Sequence, residues 1–152
     1  MSWPRSRDEV IAALNAGELQ RVTGGQAAGE GWITRARQKH ATAQSLADTD
    51  PETAYVTAYD AVRFALTGVL AQQGLRATQK GGHKVVEEIA RAQFGKGFAA
   101  FGTLRRRRVE LEYPSYPGEE PEQDELVEAL ATALEIINDA DKLVEQLGIF
   151  RP

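Results

Sequence analysis

The chain predicts an all-α protein: an antiparallel bundle of four principal helices plus a short N-terminal helix. Three observations carry this. Apolar residues recur at alternating four- and three-residue steps, most cleanly at Leu126, Leu130, Ala133, Ile137, Ala140, Val144 and Leu147, which is the seam of a bundle helix. Gly74, Gly95, Gly97, Pro114 and Pro117 punctuate the periodic runs, as helix stops do. No stretch alternates with period two for long enough to make a strand.

The elements follow in order. Ser6-Arg7-Asp8-Glu9 has the form of a capping box ahead of Val10, Ile11 and Leu14, so a short helix is expected over about 7–16. Gly17 ends it, and the glycines from 24 to 31 make an arm or loop, with room for a helical turn at Glu18 to Val22. Residues 1–31 are therefore read as an arm and 32–152 as the bundle. From Trp32 to Ala47, Ile33, Ala36, His40, Ala43 and Ala47 share a face. His40 reads there as a satisfied core histidine, because no second ligand lies at metal-binding spacing.

Asp50-Pro51-Glu52 starts the next helix with an N-cap, a proline at the first position and an acid at the positive end of the dipole. It should run to about Gln73, with Tyr55, Tyr59, Val62, Leu66 and Val69 beside a strip of Ala54, Ala58, Ala61 and Ala65. His83 opens a helix to about Phe94; an imidazole at a helix start can bind an anion or phosphate, but a hydrogen bond to the preceding loop is the expectation. A further helix carries Phe98, Phe101, Leu104 and an arginine run. The last spans roughly 122–147.

Composition narrows the function. The absence of cysteine removes disulfides and thiolate metal sites and fits a reducing cytoplasm. No apolar run approaches the roughly 18 residues of a membrane span. With two histidines, no cysteine and no Walker or dinucleotide loop, neither a metal nor another cofactor is expected. A net charge of −4 argues against a general nucleic-acid coat, but leaves room for a local basic site.

That site is Leu104-Arg105-Arg106-Arg107-Arg108-Val109-Glu110-Leu111-Glu112-Tyr113-Pro114. At about 100° per residue, Phe101, Leu104, Arg108 and Leu111 fall on one stripe, with Arg105 and Glu112 close beside it. Arg106 and Arg107 point away, towards solvent. Arg108 thus sits where a leucine belongs, and Glu112 follows at i+4, within pairing distance. Two readings stand side by side. Arg108 holds a phosphate bidentately, flanked by Arg105 and oriented by Glu112; or Arg108 and Glu112 are an internal ion pair, with Tyr113 packed at the helix end.

The layout resembles the HEPN superfamily of helical domains. The likeness rests on Ala54-Tyr55-Val56-Thr57-Ala58-Tyr59-Asp60-Ala61-Val62-Arg63 with the Gly74 stop, on the helix begun by His83-Lys84-Val85-Val86, and on the arginine-to-tyrosine segment before a Pro-rich loop. It covers about residues 32–147. It implies a prokaryotic domain that is a homodimer, partners a minimal nucleotidyltransferase, and acts on RNA or a nucleotide within a toxin–antitoxin or defence module. In ribonuclease members an arginine, four intervening residues and a histidine cut RNA without metal. Here Arg108 takes the arginine position and Tyr113 the histidine position. Tyrosine ionises near 10 and histidine near 6.5, so the change disfavours proton transfer at neutral pH. A register starting at Arg106 puts Tyr113 instead where some members carry an adenylylated tyrosine. The expectation is binding through Arg105, Arg108, Glu112 and Tyr113. The alternatives are a metal-independent ribonuclease using Arg108 and Tyr113, and a purely structural interaction bundle.

Overall fold

The computed structural model describes residues 6–98 and 100–152. Among these, six α-helices form: α1 (Arg7–Asn15), α2 (Glu30–Leu46), α3 (Pro51–Gln72), α4 (Gly82–Phe94), α5 (Ala100–Glu112) and α6 (Gln123–Gln146). The expected count of four principal helices is therefore too low, since α2 to α6 are all substantial. No helix among the described residues is long and apolar enough to cross a membrane.

α3 is the spine. Ala54, Tyr55, Ala58, Tyr59, Ala61, Val62, Ala65, Leu66 and Val69 are all buried on it, the mark of a helix enclosed on more than one side. Val62 and Leu66 join the main core with Phe101, Leu111 and Leu126. Ala61, Ala65 and Val69 join a second cluster with Ile33, Ile137 and Val144. Small residues let α2 come close: a Cβ on Gly29 would stand 2.3 Å from the Gly68 carbonyl oxygen, so only glycine fits that contact. Asp50 caps α3 as expected, accepting from the Thr53 backbone N–H at 3.2 Å. His40 is buried and bonds the Leu130 carbonyl through Nε2 at 2.8 Å, the satisfied core histidine anticipated above.

Two local expectations are overturned. Ser6 makes no side-chain cap on α1; the working capping box is at α6, where Glu122 and Glu125 bond each other's backbone N–H groups. Residues Leu19–Arg21 form no helical turn but a strand, β1, pairing antiparallel with β2 (Leu75–Ala77) in the register Leu19↔Ala77, Gln20↔Arg76, Arg21↔Leu75. Three residues are too few to show a period. The pairing is set by tertiary contacts: the Val22 N–H donates to the Gly74 carbonyl, the Thr78 N–H to the Glu18 carbonyl, and a Cβ on Gly81 would strike Glu18 O at 2.2 Å. Leu19 and Leu75 point into the core while Arg76 is exposed. The ribbon thereby fixes the link from α3 to α4.

Candidate functional site

Arg108 does sit on the inner side of α5, with its side chain 21% exposed. Its guanidinium lies 5.3 Å from the centre of the Tyr59 ring, and Nη2 forms an ion pair with Glu112 Oε1 at 2.9 Å. Tyr59, on α3, is fully buried and stacks on Phe101 at 5.3 Å. Its hydroxyl meets His83 Nδ1 at 2.9 Å. The partner of His83 is thus a tyrosine one helix away, not the preceding loop, because α4 starts alongside the middle of α3.

The protonation of this pair follows from its surroundings. Burial pushes the Tyr59 hydroxyl up to about 12 despite the pull of Arg108 and Arg63, so it keeps its hydrogen. Burial also pushes His83 below its ordinary value, and Arg63 and Arg108 push it the same way. The imidazole is neutral. A Tyr59 O–H that donates to Nδ1 places the ring hydrogen on Nε2. His83 then offers an N–H donor rather than a base.

Arg63 stands one turn beyond Tyr59. It pairs with Asp60 at 3.5 Å, too long for a hydrogen bond, and lies over Phe64 at 4.8 Å. Among the described residues, the Nε atoms of Arg63 and Arg108 are the buried side-chain polar atoms with no hydrogen-bond partner. An unmade buried bond costs about 1–3 kcal/mol, and such groups are rare in native proteins.

The other arginines divide differently from the helical-wheel expectation. Arg105 donates to Glu87, a buried carboxylate that also accepts from Arg91 at 2.7 Å. Gly102 makes room for it, since a Cβ there would lie 2.4 Å from Glu87 Oε1. Arg107 is not a solvated charge: it bonds Glu125 at 2.8 Å and Glu110 at 2.9 Å. The wheel of α5 could not show this, because Glu125 arrives on α6. Arg106 is exposed, as expected, and among the described residues donates to Thr103 at 3.3 Å. Tyr113 lies just past α5 and is 78% exposed, so it is not packed at the helix end.

Two cavities flank these groups. The larger, about 520 Å³ between α5 and α6, is lined by Arg106 and Arg107 but also by Glu110, Glu125 and Glu128, so its charges offset. The smaller, about 450 Å³, is lined by Arg63, Arg76 and His83 with no carboxylate. It is the smaller one that adjoins the Tyr59–His83 pair and offers donors to an anion.

A family model described as a HEPN domain matches residues 30–143. The chain belongs to the HEPN family. No curated protein and no solved structure gives a match. The HEPN span runs from the start of α2 to near the end of α6, so it holds Tyr59, Arg63, His83, Arg108 and Tyr113 and leaves out α1 and β1. Sequence reasoning found Arg108 and Glu112, weighed His83 as an anion site but preferred a loop hydrogen bond, read Tyr59 as core, and gave Arg63 no site role. The signal present was a tyrosine with Asp60 and Arg63 on the turn beside it, and nothing local tied that turn to His83.

Proposed function

We propose that this HEPN domain binds RNA or a nucleotide by its phosphate, at an arginine-centred groove built on Arg108. Arg105 and Glu112 flank that groove on α5, Tyr113 stands exposed just past its end, and the Tyr59–His83 pair and Arg63 continue it towards α3 and α4. The observation that carries the proposal is the pair of buried guanidinium Nε groups, on Arg63 and Arg108, without a hydrogen-bond acceptor. Both arginines press on the same histidine, and each is paired with one carboxylate, Asp60 and Glu112, which leaves their Nε–H groups unanswered in a chain whose net charge is −4. A phosphate supplies the acceptors this arrangement lacks.

Binding rather than cleavage fits the tautomer. His83 carries its hydrogen on the free nitrogen, and Tyr113 stands apart in solvent. A homodimer and a minimal nucleotidyltransferase partner, in a toxin–antitoxin or defence setting, complete the proposal. The exposed apolar groups Val109, Tyr113 and Tyr116 along and after α5 support a protein contact there.

The test is RNA binding measured across a salt series. Affinity should fall as salt rises, and Arg108→Ala should weaken it about tenfold or more, as loss of a charge-assisted bond of about 1.5–3 kcal/mol requires. Arg106→Ala should change it little. Equal effects of the two substitutions would reduce the site to diffuse surface charge.

A further inference from the structure

The cavity beside His83 contains more than a phosphate site needs. Four elements meet there: Trp32 comes from α2, Arg63 and Phe64 from α3, Arg76 from β2, and Gln79 and His83 from the entry to α4. Phe64 is already covered by cations, with Arg63 at 4.8 Å and Lys39 at 5.0 Å from its ring centre. Trp32 meets it at right angles, centroids 5.5 Å apart, and is itself half-buried, so the open aromatic surface in the cavity is the indole. Arg76 is exposed and, among the described residues, its side chain makes no hydrogen bond or ion pair. A flat apolar wall, an uncommitted cation and an N–H donor therefore share one space.

We propose that this cavity holds one unpaired nucleotide, with its base against Trp32 and its phosphate between Arg76 and the His83 N–H, beside Arg63. The inference rests on the phosphate-binding proposal and adds a place for the base. A volume of about 450 Å³ is within the range of small-molecule pockets, about 300–1,000 Å³. Bases within a duplex are already stacked and cannot enter; a splayed base stacks on an aromatic ring whatever its identity. The Gln79 amide, which offers both a donor and an acceptor, stands at the same cavity for the base edge.

The experiment uses a Trp3→Phe background, in which Trp32 is the sole tryptophan, and follows its fluorescence. An octa-adenylate RNA, a twelve-base-pair RNA duplex and adenosine monophosphate are titrated separately. The single strand should quench Trp32 and bind at least about tenfold more tightly than the duplex, as stacking of one base implies. Trp32→Leu, read by polarisation of labelled RNA, should lose about 5- to 100-fold in affinity. Arg76→Ala, at an exposed position, should weaken binding as well and covers the case in which Trp32→Leu does not fold. Quenching by adenosine monophosphate assigns the site to free nucleotides too; quenching by the strand alone assigns it to RNA. If strand and duplex bind equally and Trp32→Leu and Arg76→Ala change nothing while Arg108→Ala still weakens binding, the cavity is not the site and the phosphate proposal stands. Binding that is absent, or indifferent to salt and to Arg108→Ala, removes both.

Discussion

His83 shows how one residue's chemistry is decided by neighbours far along the chain. Its ring is held by Tyr59 and faces Arg63, Arg105 and Arg108, with Asp60 as the opposing carboxylate and Arg76 lining the same cavity. Because its folded pKa is depressed, the unfolded chain, near 6.5, takes up a proton that the folded ring refuses. The contribution to stability is complete above that value and is lost as pH falls towards the folded one. The melting temperature should therefore drop between pH 7 and pH 5 more steeply for the native chain than for His83→Gln. Parallel slopes would mean that His83 is not held neutral. The sequence could place Arg108 and Glu112 together because they lie one helical turn apart. It could not place His83 against Tyr59, since no local rule relates residues on different helices.

At the scale of elements, helices were legible wherever period and cap agreed, as at Asp50-Pro51. The caps, not the helices, were misread where capping depended on context: Ser6 has the right chemistry and no bond, whereas Glu122 and Glu125 form a box from two acids. Glu125 is also the partner of Arg107, so the start of α6 is fastened to α5 by the residue that caps it. Close helix contact makes another distinction that period alone hides. Gly29→Ala should destabilise by about 1–3 kcal/mol, because its methyl meets the α3 backbone. Gly31→Ala, two residues on and facing open space, should instead stabilise by about 0.5–1 kcal/mol through helix propensity. Urea unfolding of the two variants, with unchanged m-values, checks both signs. A neutral Gly29→Ala would show that α2 and α3 can separate without loss.

For the whole molecule, net charge was a poor guide to local chemistry. An acidic chain gathers Arg63, Arg76 and Arg108 around one histidine, the first and last paired with Asp60 and Glu112 on their own helices, while Arg105 and Arg107 are answered across helices by Glu87 and Glu125. The proposed homodimer is tested at this scale. Sedimentation at tens of micromolar should give a dimer, and Val109→Asp, at a position 43% exposed, should shift it towards monomer by at least about tenfold in dissociation constant. A monomeric native chain would defeat the dimer proposal and leave the cavity proposal untouched.

The β1–β2 ribbon gives the fold an order of assembly. Contacts between consecutive helices such as α2 and α3 span short stretches of chain and form early. The ribbon must bring Leu19 to Ala77 across both of those helices, and that closure carries an entropic penalty that nearby contacts do not. Arg76 lies on β2 and His83 follows at the start of α4, so the cavity they line is complete only when the ribbon has paired. A ligand bridging Arg76 and His83 would hold that last step closed by mass action, making occupancy and completion of folding a single event at this end of the domain.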